Sequence, residues 1–186
     1  EMHGGVEERR FPGGVSAGAA VAFGEGMSFV GIGRVTAGSC RLPSALTGLV
    51  GFKPTARCIS TDRAIPLSST LDSVGSIGHT VRCCWAADSL MATGALRVQD
   101  APSGRDGSTL RLGVLSTMVM DDMDEVVGQT WERCLGRLST QGVALESFSC
   151  PPLLDIPAAN SKGGFTAAEA LAWHAPLLAE HAKTYD

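Results

Sequence analysis

Apolar residues recur along this chain in short runs divided by glycine, proline and polar clusters, and each run carries its own period. The small residues of Ser16–Glu25 predict a short helix that lies close to another backbone. Ser28–Ile32 reads as a short buried strand, and Gly33–Pro43, punctuated by glycine, as a loop. Leu49–Phe52 reads as a second strand, ended by Pro54 because proline donates no ladder hydrogen bond. Thr80–Thr93 predicts a helix with Thr80 as its N-cap and Gly94 just past its end. Residues 99–109 exchange apolar side chains for Pro, Ser, Gly and charge and read as a surface linker, after which Leu110–Leu115 resumes as a strand. The clearest helix runs from about Asp122 to Gln141, with Met123, Val126, Val127, Trp131, Cys134, Leu135 and Leu138 on one face. Asp121, Asp122, Asp124 and Glu125 crowd its start and Arg133 and Arg137 its end, so its charges complement the helix dipole. Ala144–Phe148 follows as a strand. A last helix begins near Thr166, where Thr-Ala-Ala-Glu is a capping-box pattern, and is expected to kink at Pro176. No internal repeat is visible, and strands alternating with helices argue for an α/β class.

Composition narrows the function classes. With 44% hydrophobic residues, 18% charged residues and a net charge of −4 over 186 residues, the chain has enough apolar material for one packed core, which excludes a disordered segment. A pI near 5.5 excludes nucleic-acid binding by general basicity. No apolar run approaches the roughly 20 residues that span a bilayer, and the charged opening Glu1–Arg10 does not resemble a signal peptide. The six cysteines include the adjacent pair Cys83 and Cys84 but no Cys-x-x-Cys spacing, so they read as reduced, mostly buried small side chains in a cytoplasmic protein. A start at Glu rather than Met is expected of a piece cut from a longer chain.

The candidate chemistry is short. His3, His79, His174 and His181 are scattered without metal-ligand spacing, and the acidic run 121–125 is explained by its helix start, so no metal or other cofactor is expected. Gly31-Ile32-Gly33 completes neither nucleotide-binding fingerprint. Ser39 is the remaining candidate. It ends the loop Thr36-Ala37-Gly38-Ser39, whose small residues let backbone N–H groups converge as an oxyanion hole requires. A serine there is a nucleophile only if a base activates it, and no histidine lies in a recognisable triad signature.

Residues 12–80 resemble the amidase signature. In that family a Gly-Gly-Ser-Ser segment precedes Gly-Thr-Asp-Thr-Gly-Gly-Ser, and a Gly-Phe-Lys-Pro-Thr step follows. Here the corresponding runs are PGGVSAG, then GRVTAGSCRLP, then GLVGFKPT, continued by PLSSTLDSVGSIGHTV. Weaker similarity extends through LRLGVL into GGFTAAEALAWHAPLL, over nearly the whole chain. The resemblance implies an α/β fold, a mixed central sheet wrapped by helices, here incomplete at both ends. Residues 1–186 would then be the central part of a single amidase-signature domain. It also implies hydrolysis of a carboxamide C–N bond through a serine acyl-enzyme, by a Ser–cis-Ser–Lys triad in which a neutral lysine draws a proton through the cis-serine. A buried lysine can have the lowered pKa that this needs.

Carried over position by position, Ser39 matches the nucleophile and the backbone of Thr36, Ala37 and Gly38 the oxyanion loop. Gly13 and Gly14 match the glycine pair, Ser16 the second serine of the motif, and Arg41 and Pro43 the residues after the nucleophile. The cis-serine position is Val15, which has no hydroxyl, so the relay is interrupted there. Arg34 and Val35 replace Thr and Asp, and Ala37 replaces a glycine whose missing Cβ lets substrate approach. If Arg41 is buried, the lost carboxylate leaves its charge poorly compensated. The triad lysine belongs upstream of the glycine pair, where residues 1–12 have none, and Lys53, Lys162 and Lys183 match no base. Two readings therefore stand. One is an amidase taking a small-molecule amide. The other is a catalytically inactive amidase-like fragment that serves as a binding or interaction module, or a subunit-like piece that needs a partner chain or forms a homo-oligomer. Neither calls for nucleic acid or a membrane.

Overall fold

The computed structural model of the chain describes residues 11–95 and 106–185. They fall into two compact units, one made of the residues up to 95 with those from Gly163 onward, the other of residues 106–162. The predicted linker lies outside the described residues as far as 105. From Asp106 the chain enters a 3-10 turn, Gly107–Thr109, whose Ser108 N–H donates to the Asp106 carboxylate at 3.0 Å.

The first unit is built on a three-stranded antiparallel sheet: β1 (Gly31–Val35), β2 (Val50–Phe52) and β3 (Ser73–Gly78), in the order β1-β3-β2. The central strand is the one the hydrophobic pattern does not predict. Its sequence, Ser-Val-Gly-Ser-Ile-Gly, has only Val74 and Ile77 as larger apolar residues, yet every residue but Val74 is buried. Small side chains suit a strand packed on both faces. Gly75 pairs with Gly33 across β1, and a Cβ on Gly75 would stand 2.4 Å from the Phe52 carbonyl oxygen. Pairing with β3 also moves β1 three residues beyond the predicted start. Val35, expected in a loop, is fully buried in the core, whereas Phe29, expected in the strand, is fully exposed.

Helix α1 (Ala17–Gly24) lies on the sheet as its small residues predict, with Ala20 and Phe23 buried beside Val35, Cys40 and Ile77. Helix α2 (Arg41–Leu46) occupies the second half of the predicted loop 33–43, with Pro43 in its first turn, where a missing N–H costs nothing. It rests on β2, since a Cβ at Gly51 would come within 2.6 Å of the Cys40 carbonyl oxygen. Helix α3 (Val81–Thr93) begins and ends as predicted. The Cys83 N–H donates to the Thr80 hydroxyl at 3.2 Å, and Gly94 adopts the left-handed conformation.

In the second unit β4 (Arg111–Leu115) and β5 (Ala144–Phe148) pair in parallel, within a residue of their predicted bounds. Helix α4 (Glu125–Thr140) connects them, and the Asp124 carboxylate accepts from the Val127 N–H at 2.9 Å. Its apolar face is largely uncovered, with Val126 72% and Val127 51% exposed. Helix α5 (Ile156–Ala159) completes that unit.

Helix α6 (Gly164–His181) belongs to the first unit and corrects the predicted capping box. The helix starts two residues before Thr166, at a Gly163–Gly164 turn with φ of 90° and 55°. Glu169 faces other donors, described below. No helix among the described residues is long and apolar enough to cross a membrane. All six cysteines are free, but only Cys40 and Cys84 are buried. Cys58, Cys83 and Cys134 are exposed, which corrects the expectation of a mostly buried set. Cys134 lies on the uncovered helix α4, and Cys83 in the first turn of α3.

Two local strains yield tests. Arg57 and Arg63 hold φ of 70° and 67°, left-handed conformations that cost a residue with a Cβ about 1–2 kcal/mol. Arg57→Gly and Arg63→Gly are each expected to stabilise the chain by about 0.5–1 kcal/mol after the extra chain entropy of glycine is counted, as read by chemical denaturation. Asp88, buried on α3, takes a hydrogen bond from the Ser76 hydroxyl at 2.7 Å on Oδ1, while its Oδ2 has no partner. Burial pushes its carboxyl above the usual range, opposed in part by Ser76. A raised carboxyl favours folding below its unfolded pKa, and that contribution is lost as pH rises through the folded value. Asp88→Asn is therefore expected to raise Tm by a few degrees at pH 7, with the gain vanishing towards pH 4.

Candidate active site

The two glycine-bearing turns of the sequence meet in space. Gly13 and Gly14 adopt left-handed φ of 73° and 63° just before α1. A Cβ on Gly14 would stand 3.1 Å from the Ser39 carbonyl oxygen and 3.4 Å from the Ser39 Cα. The first turn thus lies directly on the backbone of the candidate nucleophile. Below it the Ser16 hydroxyl, buried, donates to the Arg34 carbonyl at 3.4 Å, and the Cys40 thiol approaches the Ser16 oxygen at 3.9 Å. Gly33 makes this approach possible, because a Cβ there would fall 2.3 Å from Ser16 Oγ and 2.7 Å from Cys40 Sγ. Burial pushes the Cys40 thiol up, so it stays protonated at neutral pH.

The Thr36–Ser39 turn leaves β1 and leads into α2, with the Leu42 N–H donating to the Gly38 carbonyl at 2.9 Å. Arg41 is exposed and donates from Nη2 to the Ala37 carbonyl at 2.7 Å. The premise of a buried, uncompensated Arg41 is thus corrected. The cation that does need a carboxylate is Arg34, and the carboxylate is Asp72, at 3.6 Å. The Asp72 side chain is only 4% exposed. Its Oδ1 accepts from the Thr36 hydroxyl at 2.6 Å, and its Oδ2 from the N–H groups of Leu67 and Ser68 at 2.8 and 3.1 Å. Sequence reading missed Asp72. The available signal was the exchange at 34–35, where a cation appears and a carboxylate disappears, so that charge balance asks for an acid elsewhere.

The Ser39 hydroxyl is half-buried, and among the described residues it makes no hydrogen bond. Val15 stands between the glycine pair and Ser16 with its side chain 74% exposed. Lys53 donates to the Pro54 carbonyl at 2.5 Å, one residue along its own chain. The described residues hold no cluster of three or more metal-ligating side chains. An open cleft of about 660 Å³ in this unit is lined by Arg57, Cys58, Ser69, Thr70 and Asp72 among others, and by no residue of either glycine turn.

A family model described as Amidase matches residues 5–176. The chain belongs to the amidase family. It is 34% identical over 170 residues to 2-amino-5-chloromuconic acid deaminase of Comamonas testosteroni, covering 89% of this chain and 36% of that protein. It is 35% identical over 145 residues to indoleacetamide hydrolase of Agrobacterium vitis, covering 78% and 30%. A solved amidase structure superposes with a TM-score of 0.79 at 27% identity, covering 94% of this chain and 38% of that one. The chain thus spans about a third of the length of the curated relatives it matches. The expected α/β fold agrees with these neighbours.

One further group in this amidase chain stands out. The Glu169 carboxylate of α6 receives the Ser68 hydroxyl at 2.6 Å, the Thr70 N–H at 3.0 Å, the Ser69 hydroxyl at 3.3 Å and the Thr70 hydroxyl. These donors, led by the Ser68 and Thr70 hydroxyls, lower its pKa to about 2. They also explain why Glu169 does not cap its own helix: several donors outweigh one backbone N–H. A lowered carboxylate stabilises the fold above its unfolded pKa, and the contribution is lost as pH falls through about 2. Glu169→Gln is expected to lower Tm at pH 7, and the gap to the parent chain is expected to close between pH 4.5 and 2 in a thermal-melt series.

Proposed function

We propose that this chain carries the acyl-accepting loop of a carboxamide-directed site, with Ser39 as the nucleophile and the Thr36–Ser39 backbone as the oxyanion loop, and that its proton relay is broken at Val15. The observation that carries this reading is the seating of the Gly13–Gly14 turn on the Ser39 backbone, with a valine rather than a hydroxyl next in the chain. The Ser39 hydroxyl has no hydrogen-bonded base among the described residues, and an unactivated serine is a weak nucleophile at neutral pH. Amide hydrolysis is the chemistry named for the indoleacetamide hydrolase that this chain resembles.

Fluorophosphonate labelling with peptide mapping tests this reading. The parent chain is expected to label at Ser39 weakly or not at all. Val15→Ser is expected to increase labelling at Ser39, and Ser39→Ala in that background to abolish it. Strong labelling of the parent chain overturns the broken relay. A folded Val15→Ser protein that stays unlabelled even when a lysine-bearing upstream segment is supplied overturns Ser39 as the nucleophile.

A second reading, a piece that works against further polypeptide, is favoured by the uncovered face of α4, where Val126, Val127 and Trp131 are 72%, 51% and 36% exposed. It predicts self-association at micromolar concentration by sedimentation, relieved by Val126→Glu. A sharp, reversible, monomeric unfolding transition counts against it.

A further inference from the structure

Two carboxylates in the first unit make contacts that neither the strand ladders nor the helix caps require. Asp72 joins the Thr36 hydroxyl to the Leu67 and Ser68 N–H groups, at 2.6, 2.8 and 3.1 Å. Glu169 grips the next residues of the same turn, Ser68, Ser69 and Thr70, from α6. Ser68 belongs to both sets, is fully buried, and closes the turn by accepting the N–H groups of Leu71 and Asp72 on its carbonyl, at 3.2 and 2.8 Å. The chain of contacts therefore runs unbroken from α6 through the 67–72 turn to the first residue of the Ser39 loop.

We propose that Glu169 and Asp72 act together as a two-carboxylate brace, through which α6 sets the position of the Thr36–Ser39 loop from more than a hundred residues away in sequence. The proposal rests on the reading of that loop as the acyl-accepting site. Glu169 is a positioning residue in it and has no direct contact with Ser39. The device answers a local need. The strand-to-helix turn at 36–39 carries only short side chains, and Ala37 and Arg41 tie it to nothing but itself. Among the described residues, Thr36 makes the turn's one side-chain hydrogen bond to another segment, to Asp72. Asp72 in turn is held by Arg34 and by a turn whose three hydroxyls, of Ser68, Ser69 and Thr70, all donate to Glu169. Removing the distant carboxylate is therefore expected to loosen the near loop, because each link is a charge-assisted hydrogen bond from a backbone N–H or a short hydroxyl side chain to a carboxylate.

Amide hydrogen exchange on the intact chain tests this, since it reads loop order whether or not Ser39 reacts. Glu169→Ala is expected to speed exchange at residues 36–39 and 67–72 at least tenfold, leaving the α1 amides 20–24 unchanged. Glu169→Gln, which keeps the reach and an acceptor oxygen, is expected to restore most of the protection. Thr36→Val should loosen 36–39 alone, and adding Glu169→Ala to it should speed exchange at 36–39 little further, as expected for two links of one chain. If Glu169→Ala loosens 67–72 but leaves 36–39 protected, the brace ends at Asp72 and the proposal fails. If α1 loosens equally, the effect is global and the proposal also fails. Should Glu169→Ala not fold, Ser68→Ala, which removes the buried hydroxyl that joins the turn to Glu169, takes its place alone and combined with Thr36→Val, with the same outcomes deciding. A failure of Ser39 to label in the Val15→Ser chain with the lysine-bearing segment supplied would overturn the acyl-accepting reading and leave the exchange result standing.

Discussion

Everything around the candidate site depends on one missing carbon atom at Gly33. With a Cβ there, Ser16 Oγ would lie 2.3 Å away and Cys40 Sγ 2.7 Å away, well inside contact distance. Because it is absent, the start of α1 and the turn before α2 both settle onto the backbone of β1. That settling brings Gly14 against Ser39, and it lets Ser16, Cys40 and Val35 bury together with little apolar volume. The core of this unit is small, with Ala20, Phe23, Val35, Cys40 and Ile77 as its buried members. Its order comes from close backbone approach more than from large side chains, so one methylene added at such a position has nowhere to go.

The polar contacts follow from the same geometry. A turn that approaches a strand this closely is made of short residues, and short residues cannot reach far for partners. The charges have therefore been placed on the surrounding segments. Arg34 projects from β1 and pairs with Asp72, which precedes β3, while Asp72 and Glu169, the latter from α6, accept the N–H and hydroxyl groups that the turns leave over. Val35 makes the exchange physically reasonable: a carboxylate at that fully buried core position would need its own partners, whereas Asp72 has four.

The pattern of the sequence was legible where local chemistry decides the structure. Thr80 and Gly94 bracket α3 because a hydroxyl and a left-handed glycine satisfy helix ends without help from elsewhere. The strands β4 and β5 were legible because short apolar runs of that length have few other uses, whereas their parallel pairing is seen only in the structure. Reading failed where tertiary contact overrides local preference. β3 is rich in glycine and serine, but a strand sandwiched between two others and under helices needs small residues, not β-branched ones. The Thr166–Glu169 pattern fits a capping box, yet donors a hundred residues away outnumber the local one. The glycine turns were found through their resemblance to a family. The role of Asp72 was not, because nothing in its immediate neighbours marks an aspartate that serves three segments.

The frame and the chemistry of this site are constrained at different residues. Gly14 and Gly33 are held by sterics: a side chain at either would push apart segments that the core needs together. Position 15 is different. Its side chain is 74% exposed, so the fold is nearly indifferent to whether a hydroxyl or an isopropyl group stands there. The relay proposed for this site, by contrast, would depend on a hydroxyl oxygen at that position. The physical forces that maintain the amidase frame thus place no demand on the atom that amide hydrolysis would use. A chain can keep every close contact around Ser39 while the step that activates it is lost, which is why family membership and catalytic competence have to be argued here from separate residues.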